Sequence, residues 1–231
     1  MSAPSSQAPS SQTPSPQAPD AAVTVPAGVA LPAMPPSAPQ RPYSAVARAL
    51  GRLVLRLLGW SWRGGFPDVP RSVLVGWPHT SNWDGVVALS AMAVCGVRVR
   101  IFAKAGLFRT PVGGLLRAFG GVPIDRDAPG DLVDQAVRHF AESEARGEPF
   151  MLGLAPEGTR GRAPRWKSGF HRIARAARVP ISVAVFDYAR KEVGVVGTIV
   201  PSDDLDADLA VLDAMLAGIT ARHPELATPP L

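Results

Sequence analysis

The side chains best suited to acid–base chemistry are His79 and Asp84, which stand in one loop, residues 76–85, directly after a short apolar run. A carboxylate near a histidine fixes the tautomer of the ring and stabilises its protonated form, so the imidazole can act as a general base toward a hydroxyl. The spacing alone also suits a structural histidine that only makes a hydrogen bond. A metal site needs at least a third ligand, and no cluster of His, Cys, Asp and Glu supplies one, so no metal is expected.

A second group of polar residues, Glu157, Gly158, Thr159 and Arg160, follows an apolar run at 149–154. A glycine turn with these flanking groups can hold a phosphate and a polyol, or it can be a surface turn with an ion pair. The segment has the Gly-x4-Gly spacing of a phosphate-binding P-loop. However, Thr159-Arg160 replaces the Lys-Ser/Thr pair that a P-loop requires, so nucleotide binding by that mechanism is not expected.

Two further basic residues are placed to bind anions. Arg126 follows the short apolar run 122–124, where it can clamp a phosphate or pair with a neighbouring aspartate. Lys167 opens a predicted helix, and a cation near a helix N-terminus reinforces anion binding there. Ser168, beside Lys167, lacks the Gly-x-Ser-x-Gly turn of serine hydrolases, so a serine nucleophile is not expected.

The elements that position these groups alternate between short β-rich apolar runs and segments of helical periodicity. Such alternation predicts an α/β fold in which a mostly parallel sheet is flanked by helices, with sites in the loops beyond the strand ends. Val179, Pro180 and Ile181 lead into one apolar strand, where they can line an acyl channel or simply begin the strand. The predicted strands are 72–76, 98–102, 122–124, 149–154, 181–186 and 193–200, and the predicted helices are 83–95, 111–119, 131–146, 167–178 and 203–223, the last capped by Ser202.

The N-terminal part divides into two segments of different composition. Residues 1–42 are rich in Pro, Ala and Ser without a hydrophobic period, which predicts a disordered tail. Residues 43–63 predict an amphipathic helix in which Arg48, Arg52 and Arg56 share one face. Such a helix can lie at a membrane interface, or it can pack on the domain with solvated arginines. Residues 64–231 are expected to form a single domain.

Composition limits the classes of partner. The formal net charge of +5, carried mostly by arginine, favours a phosphate-bearing partner. Nucleic acid is not expected, because no nucleic-acid-binding signature is present and aromatic residues make up only 6% of the chain. A lone cysteine, Cys95, excludes a disulfide framework and is expected to be buried. No apolar run reaches the roughly 20 residues that span a bilayer, so membrane contact is expected at the surface.

The order and spacing of four motifs over residues 72–190 resemble the lysophospholipid/glycerol-phosphate acyltransferase superfamily. The resemblance implies a glycerolphosphate acyltransferase-like domain. The similar blocks are His79-Thr80-Ser81-Asn82-Trp83-Asp84 for His-x4-Asp, Gly121-Val122-Pro123-Ile124-Asp125-Arg126 for Gly-x4-Arg, Glu157-Gly158-Thr159-Arg160 for Glu-Gly-Thr-Arg, and Val179-Pro180-Ile181 for Val-Pro-Ile.

The resemblance also implies roles for these residues. His79 would deprotonate an acceptor hydroxyl, Asp84 would orient His79, and the hydroxyl oxygen would attack the thioester of acyl-CoA or acyl carrier protein, with no further cofactor. Arg126, the Glu157–Arg160 block and Lys167 would hold the phosphate and glycerol of a lysolipid acceptor. We expect the protein to bind peripherally at the cytoplasmic face of the membrane, in contact with anionic lipids.

Two other functions remain compatible with the same residues. The histidine of a thioesterase or hydrolase could activate water instead of a lipid hydroxyl. A basic protein could also bind lipid without catalysis. The acceptor itself stays open, because Leu154-Ala155 stands where relatives acting on lysophosphatidic acid often carry Phe. Another lysophospholipid, or a hydroxyl or amine without phosphate, would also suit the site.

Overall fold

The computed structural model describes residues 34–111, 113–124 and 132–231. Among these residues, seven strands form one sheet in the order β1-β7-β6-β2-β5-β3-β4, in which all neighbours are parallel except the antiparallel pair β6 and β7. The strands are β1 (Ser61–Gly64), β2 (Arg71–Trp77), β3 (Arg100–Lys104), β4 (Gly121–Ile124), β5 (Phe150–Leu154), β6 (Ile181–Asp187) and β7 (Glu192–Ile199). The helices are α1 (Ala45–Leu58), α2 (Asn82–Cys95), α3 (Gly113–Ala118), α4 (Leu132–Ala145), α5 (Gly169–Ala177) and α6 (Leu205–Leu216), with short 3-10 turns at Ala105–Arg109 and Pro224–Leu226.

The central strands read as continuous apolar runs because helices cover both faces of the sheet. On one face, residues of α4, α5 and α6 pack against β2, β5 and β6, as Phe140, Phe170 and Leu212 show. On the other face, residues of α1 and α2 pack against β2 and β7. The α/β class with a mostly parallel sheet flanked by helices is therefore confirmed.

Helix α1 packs on α2 through a narrow contact. Gly51 and Leu55 are buried, and a Cβ at Gly51 would lie only 2.9 Å from the Ser90 carbonyl oxygen, so the two backbones approach closely. The remaining faces of α1 are exposed and include Leu50 and Leu57. None of the helices in the described ranges is long and apolar enough to cross a membrane.

The N-terminal boundaries differ from those expected. Residues 1–33 of the predicted tail lie outside the described residues. Residues 34–42 contact the domain, since the Arg41 and Arg98 backbone amides donate to the carbonyls of Gly96 and Pro39, and Ala38 is buried. The predicted helix 43–63 also ends early, because Gly59 adopts a left-handed conformation and the chain then enters β1.

The last helix is shorter than the sequence suggested. It ends at Leu216, near Gly218, whose positive φ of 77° turns the chain away from the helical path. Its cap is Asp204, whose carboxylate accepts from the amides of Asp206 and Ala207, so the expectation for Ser202 is wrong. Ser202 instead donates its hydroxyl to the Asp204 carbonyl oxygen.

Candidate active site

The His79 and Glu157 loops meet at one edge of the sheet because β2 and β5 are parallel neighbours. Val75 pairs with Leu154, and because the two strands are parallel, the loops that follow them leave the sheet at the same end. The Glu157 carboxylate accepts a hydrogen bond from the His79 backbone amide at 2.9 Å. The structure thus joins two blocks that are separated by 78 positions in the sequence.

Asp84 and His79 form a pair at the start of α2. The Nδ1 atom of His79 lies 3.4 Å from Oδ2 of Asp84, and the side chain of Asp84 has no exposed surface while that of His79 is 23% exposed. Ser81 caps α2, and its backbone amide donates to the same carboxylate at 2.8 Å. The sequence folds this way because Ser81 and Asp84 have the spacing of a capping box.

Tyr188 completes the surroundings of Asp84. Its hydroxyl donates to Oδ1 of Asp84 at 2.6 Å. Burial alone would raise the pKa of Asp84, but hydrogen bonds from His79, Tyr188 and the Ser81 amide outweigh burial and hold that pKa below its usual range. Burial and the adjoining carboxylate raise the pKa of Tyr188, so the phenol stays protonated as a donor. Asp84 is therefore an ionised carboxylate with a fixed orientation.

Glu157 is buried, with both carboxylate oxygens committed to backbone amides. Oε2 accepts from His79 and Oε1 accepts from Thr228 at 2.9 Å. Burial raises the pKa of Glu157, and the two amides partly offset that effect. The role expected for Glu157, holding the acceptor, does not match this geometry, because a side chain that is 1% exposed with both oxygens occupied positions the His79 loop instead.

Thr228 makes hydrogen bonds to three parts of the site: the Glu157 loop, the end of β2 and the segment before α5. Its backbone amide donates to Glu157, and its carbonyl oxygen accepts from the indole nitrogens of Trp77 and Trp166 at 2.8 and 2.7 Å. Its hydroxyl donates to the Ala163 carbonyl oxygen. These buried hydrogen bonds of Thr228 fix Trp77, at the end of β2, relative to Glu157.

A polar cleft opens from His79 toward α4 and α5. It has a volume of about 720 Å³, and its lining includes Thr159, Arg160, Lys167 and Arg172. Gly158 has a φ of 66°, and its bare Cα leaves room for the Lys167 ammonium, which a Cβ would meet at 2.7 Å. The N-terminus of α5 lines the same cleft and has no side-chain cap. Unpaired amides at a helix start attract anions, so the cleft suits a phosphate.

An apolar cavity opens from the same histidine on the opposite face of the sheet. It has a volume of about 230 Å³ and extends from His79 and Asp84 between α2 and the sheet, to Phe66 and Met92. Its α2 wall includes the small residues Gly85, Ala88 and Ala91, and a Cβ at Gly85 would meet no atom within 4 Å. A predominantly apolar lining of this kind suits a hydrocarbon chain.

Arg126 lies outside the described residues, and one further group of predicted site residues lies away from this centre. The block Val179-Pro180-Ile181 lies at the other end of the strands from His79, where Ile181 pairs with Val73 near the start of β2. None of its three residues lines either cavity at His79. The expected acyl channel at these three residues is corrected on that ground: Val179 and Ile181 pack in the core beneath α5.

Sequence reasoning missed Tyr188, Thr228 and Arg172 at the site. Only Arg172 had a usable signal, since it lies five positions after Lys167 in the same basic segment that opens α5. Tyr188 and Thr228 reach the centre from positions 104 and 71 residues away from their carboxylate partners. Within the described ranges, no group of three His, Cys, Asp or Glu side chains is placed to hold a metal ion.

Comparison with known proteins identifies the class. A family model described as Acyltransferase matches residues 67–186, more than half of the chain, and the chain therefore belongs to the acyltransferase family. Among solved structures it is similar to the 1-acyl-sn-glycerophosphate (LPA) acyltransferase PlsC from Thermotoga maritima, with a TM-score of 0.53, 16% identity, and coverage of 75% of this chain and 76% of that one. A search of curated proteins gave no match. The family resemblance drawn from the four blocks is confirmed.

Proposed function

We propose that this acyltransferase moves a fatty acyl group from an acyl thioester to the hydroxyl of a lysophospholipid-like acceptor. The observation that carries the proposal is the position of His79 between two cavities of opposite character. The apolar cavity on one side suits an acyl chain, and the basic cleft on the other suits a phosphate-bearing acceptor. The reacting carbonyl and the hydroxyl would meet at the ring of His79.

The acceptor phosphate would bind in the polar cleft. Arg160 and Lys167 are exposed cations in its lining, and Arg172 projects from the first turns of α5. A guanidinium can hold a phosphate with two parallel hydrogen bonds, and the α5 N-terminus adds partial positive charge. Gly158 and Thr159 would complete the turn around the glycerol. Arg126 is proposed for the same phosphate on the family resemblance alone.

In the proposed reaction the acyl group passes directly from the thioester to the acceptor, and no covalent acyl-enzyme or metal takes part. A ring nitrogen of His79 takes the proton of the acceptor hydroxyl, and the oxygen attacks the thioester carbonyl carbon. The C–S bond then breaks, and the proton on His79 passes to the departing thiolate, which leaves as a thiol. Asp84 stabilises the imidazolium formed between these steps. Holding both reactants in place lowers the activation barrier further, by roughly 7–11 kcal/mol at most.

The acceptor lies in a bilayer, so we propose that α1 brings the domain to an anionic membrane surface. Val46, Leu50, Leu53 and Leu57 form an exposed apolar stripe on α1. The arginines at 48, 52 and 56 are also exposed, about a third of a turn away around the helix. This combination suits insertion of the apolar stripe below the headgroups, with arginines near lipid phosphates.

One assay separates the proposed transferase from its rivals. Purified protein is incubated with acyl-CoA or acyl carrier protein thioester and a panel of lysolipids, and the products are identified by mass spectrometry. A diacyl product that requires the lysolipid supports the proposal, and the better donor and acceptor are read from the same panel. Free fatty acid at an equal rate with and without lysolipid would indicate a thioesterase. Lysolipid binding without any product would indicate a non-catalytic lipid-binding protein.

A further inference from the structure

A third cavity lies at the end of the sheet away from His79. It has a volume of about 480 Å³, and Arg98, Arg100 and Arg146 contribute to its lining. Arg100 begins β3 and pairs with Leu152, whereas His79 lies beyond the other end of the neighbouring strands. At about 3.3 Å per residue, the separation along the strands is on the order of 20 Å. The cavity is thus distinct from the cleft of the proposed reaction.

Arginines outnumber carboxylates in the lining of this cavity. Glu148 lines the cavity, but its carboxylate already pairs with Nε of Arg146 at 3.2 Å. Arg98, Arg100 and Arg41 take part in no ion pair within the described part of the chain. Burial, followed by the charges of Arg98 and Arg41, lowers the pKa of Arg100, and the carboxylate of Glu148 opposes this shift only in part. The fold therefore brings like charges together at a cost in stability.

Arg98 also carries an unsatisfied donor. Its Nε atom is buried and has no hydrogen-bond partner among the residues that the structure describes. Arg98 is only partly buried as a residue, and Nε is the side-chain nitrogen that has neither exposure to water nor an acceptor. A buried guanidinium nitrogen without a partner is costly, which calls for a specific explanation. An anion that accepts from Arg98 would satisfy this donor and relieve the repulsion from Arg100.

We propose that this cavity is a second anion site that binds a small phosphate-bearing ligand through Arg98 and Arg100. Guanidinium groups prefer phosphate because their planar forks donate two parallel hydrogen bonds to it. Arg41 lies close enough to add long-range attraction and is itself held by stacking on Tyr43, with 5.0 Å between its Cζ and the ring centroid. The proposal does not depend on the acyl-transfer reaction.

Pyrophosphate titrations test this site in the whole protein. We expect calorimetry to show a binding event whose affinity falls at least tenfold when Arg98→Met and Arg100→Met are combined. The control Arg138→Met removes an exposed charge from α4 outside the cavity and should leave affinity unchanged. Arg160→Met, in the cleft beside His79, should also leave this event intact. Unchanged pyrophosphate binding in the double variant would overturn the site. Loss of binding to phosphatidate vesicles together with the loss of pyrophosphate binding would identify the phosphate as that of a lipid headgroup.

Thermal unfolding provides a second readout that separates a ligand site from a structural role. Without phosphate, the double variant should melt at the same temperature as the parent or higher, because like-charge repulsion is removed. With phosphate, the parent should gain stability and the double variant should not, since a ligand that binds only the folded state stabilises it. A lower melting temperature of the double variant in phosphate-free buffer would show that the arginines support the fold directly, and would overturn the proposal.

Discussion

Tyr188 donates its hydroxyl to Asp84 across 2.6 Å, from the end of the strand β6 to the first turn of α2. The same ring packs edge-on against Trp60, which follows α1, with 4.9 Å between centroids. The carboxylate beside His79 is therefore oriented by a residue that also contacts the end of the exposed N-terminal helix. This chain of contacts links the proposed membrane surface to His79.

Replacement of Tyr188 by Phe should destabilise the protein in a pH-dependent way. The folded-state pKa of Asp84 is depressed, so its ionised form contributes stability above the usual carboxyl range, and this stability is lost as pH falls through the folded pKa. Tyr188→Phe removes one donor to that carboxylate, which costs about 1.5 kcal/mol at neutral pH. Urea unfolding should show this deficit shrink at acidic pH as Asp84 becomes protonated.

The matched control for that measurement is Tyr43→Phe. The Tyr43 hydroxyl donates to the Val97 carbonyl oxygen, which does not titrate. The loss of unfolding free energy in this variant should therefore be the same at neutral and at acidic pH. A pH-independent deficit for Tyr188→Phe as well would contradict the proposed link between Tyr188 and the charge of Asp84.

Loss of the imidazole should abolish transfer while leaving the fold intact. The tie between the His79 loop and Glu157 runs through the backbone amide, which His79→Ala retains. We expect kcat to fall by about 10²–10⁴, with an unchanged circular dichroism spectrum. Asp84→Asn should have a milder or equal effect, because it disturbs orientation and charge without removing the base. Retention of about a tenth or more of the activity by His79→Ala would exclude a general-base role.

Glu157→Gln distinguishes positioning from substrate binding. Glu157 accepts from two backbone amides, and a glutamine would turn an NH2 group toward one of them. A misplaced His79 loop should lower kcat strongly while the apparent KM of the acceptor changes little. For comparison, Arg160→Ala should raise the KM of the acceptor about tenfold or more, as expected for a lost charge-assisted hydrogen bond. A similar rise in acceptor KM for Glu157→Gln would show that this carboxylate holds substrate.

The sequence predicted most of the central strands and the pairing of His79 with Asp84 because those features are local. Continuous apolar runs mark buried parallel strands, and the Ser81–Asp84 capping box fixes the start of α2 within four residues. The edge strand β1 was missed since its residues Ser61–Gly64 are mostly exposed and show no apolar period. An edge strand of this kind is specified by its partner β7, which lies far along the chain.

The amino-acid identities of Glu157 and of the Val179–Ile181 block were not enough to predict their roles. A carboxylate in a glycine turn suits a polyol or a backbone amide equally well, and only the position of Thr228 decides between them. Strand direction decides the second case. Because β6 is parallel to β2, the residues that begin β6 lie at the edge away from His79, and the apolar cavity is built instead from α2 and small residues such as Ala184.

Narrowing the apolar cavity should shorten the preferred acyl chain. Ala88 lines the cavity one helical turn beyond Asp84, so Ala88→Leu would place a branched side chain in its path. The ratio of kcat/KM for short over long acyl thioesters should rise by roughly tenfold or more, because one methylene group in an apolar pocket contributes about 1–3 kcal/mol. Val86→Leu is the control, because Val86 is exposed on the same helix and does not line the cavity. An unchanged chain-length profile for Ala88→Leu would place the acyl chain elsewhere.

The exposed faces of α1 make separable contributions to membrane binding. Leu50 and Leu57 are 58% and 75% exposed, and burial of the area that is still exposed would stabilise the bound state by about 1–2 kcal/mol for each. The three arginines Arg48, Arg52 and Arg56 would each add about 1 kcal/mol near anionic lipid, and salt weakens this contribution. Vesicle co-sedimentation should therefore become independent of salt when the arginines are replaced by glutamine, and should weaken at all salt concentrations when Leu50 and Leu57 are replaced by serine.

Activity should follow vesicle binding only when the acceptor is in a bilayer. Both sets of α1 variants leave Gly51 and Leu55, which pack α1 on α2, and Trp60, which contacts Tyr188, in place. The reaction with a short-chain lysolipid dissolved in detergent should accordingly persist, while the reaction with the same headgroup in anionic vesicles falls in proportion to bound protein. An equal loss in both assays would mean that the substitutions disturb Tyr188 and Asp84 through Trp60. Full vesicle binding by both sets of variants would show that the membrane contact lies on another surface of the domain.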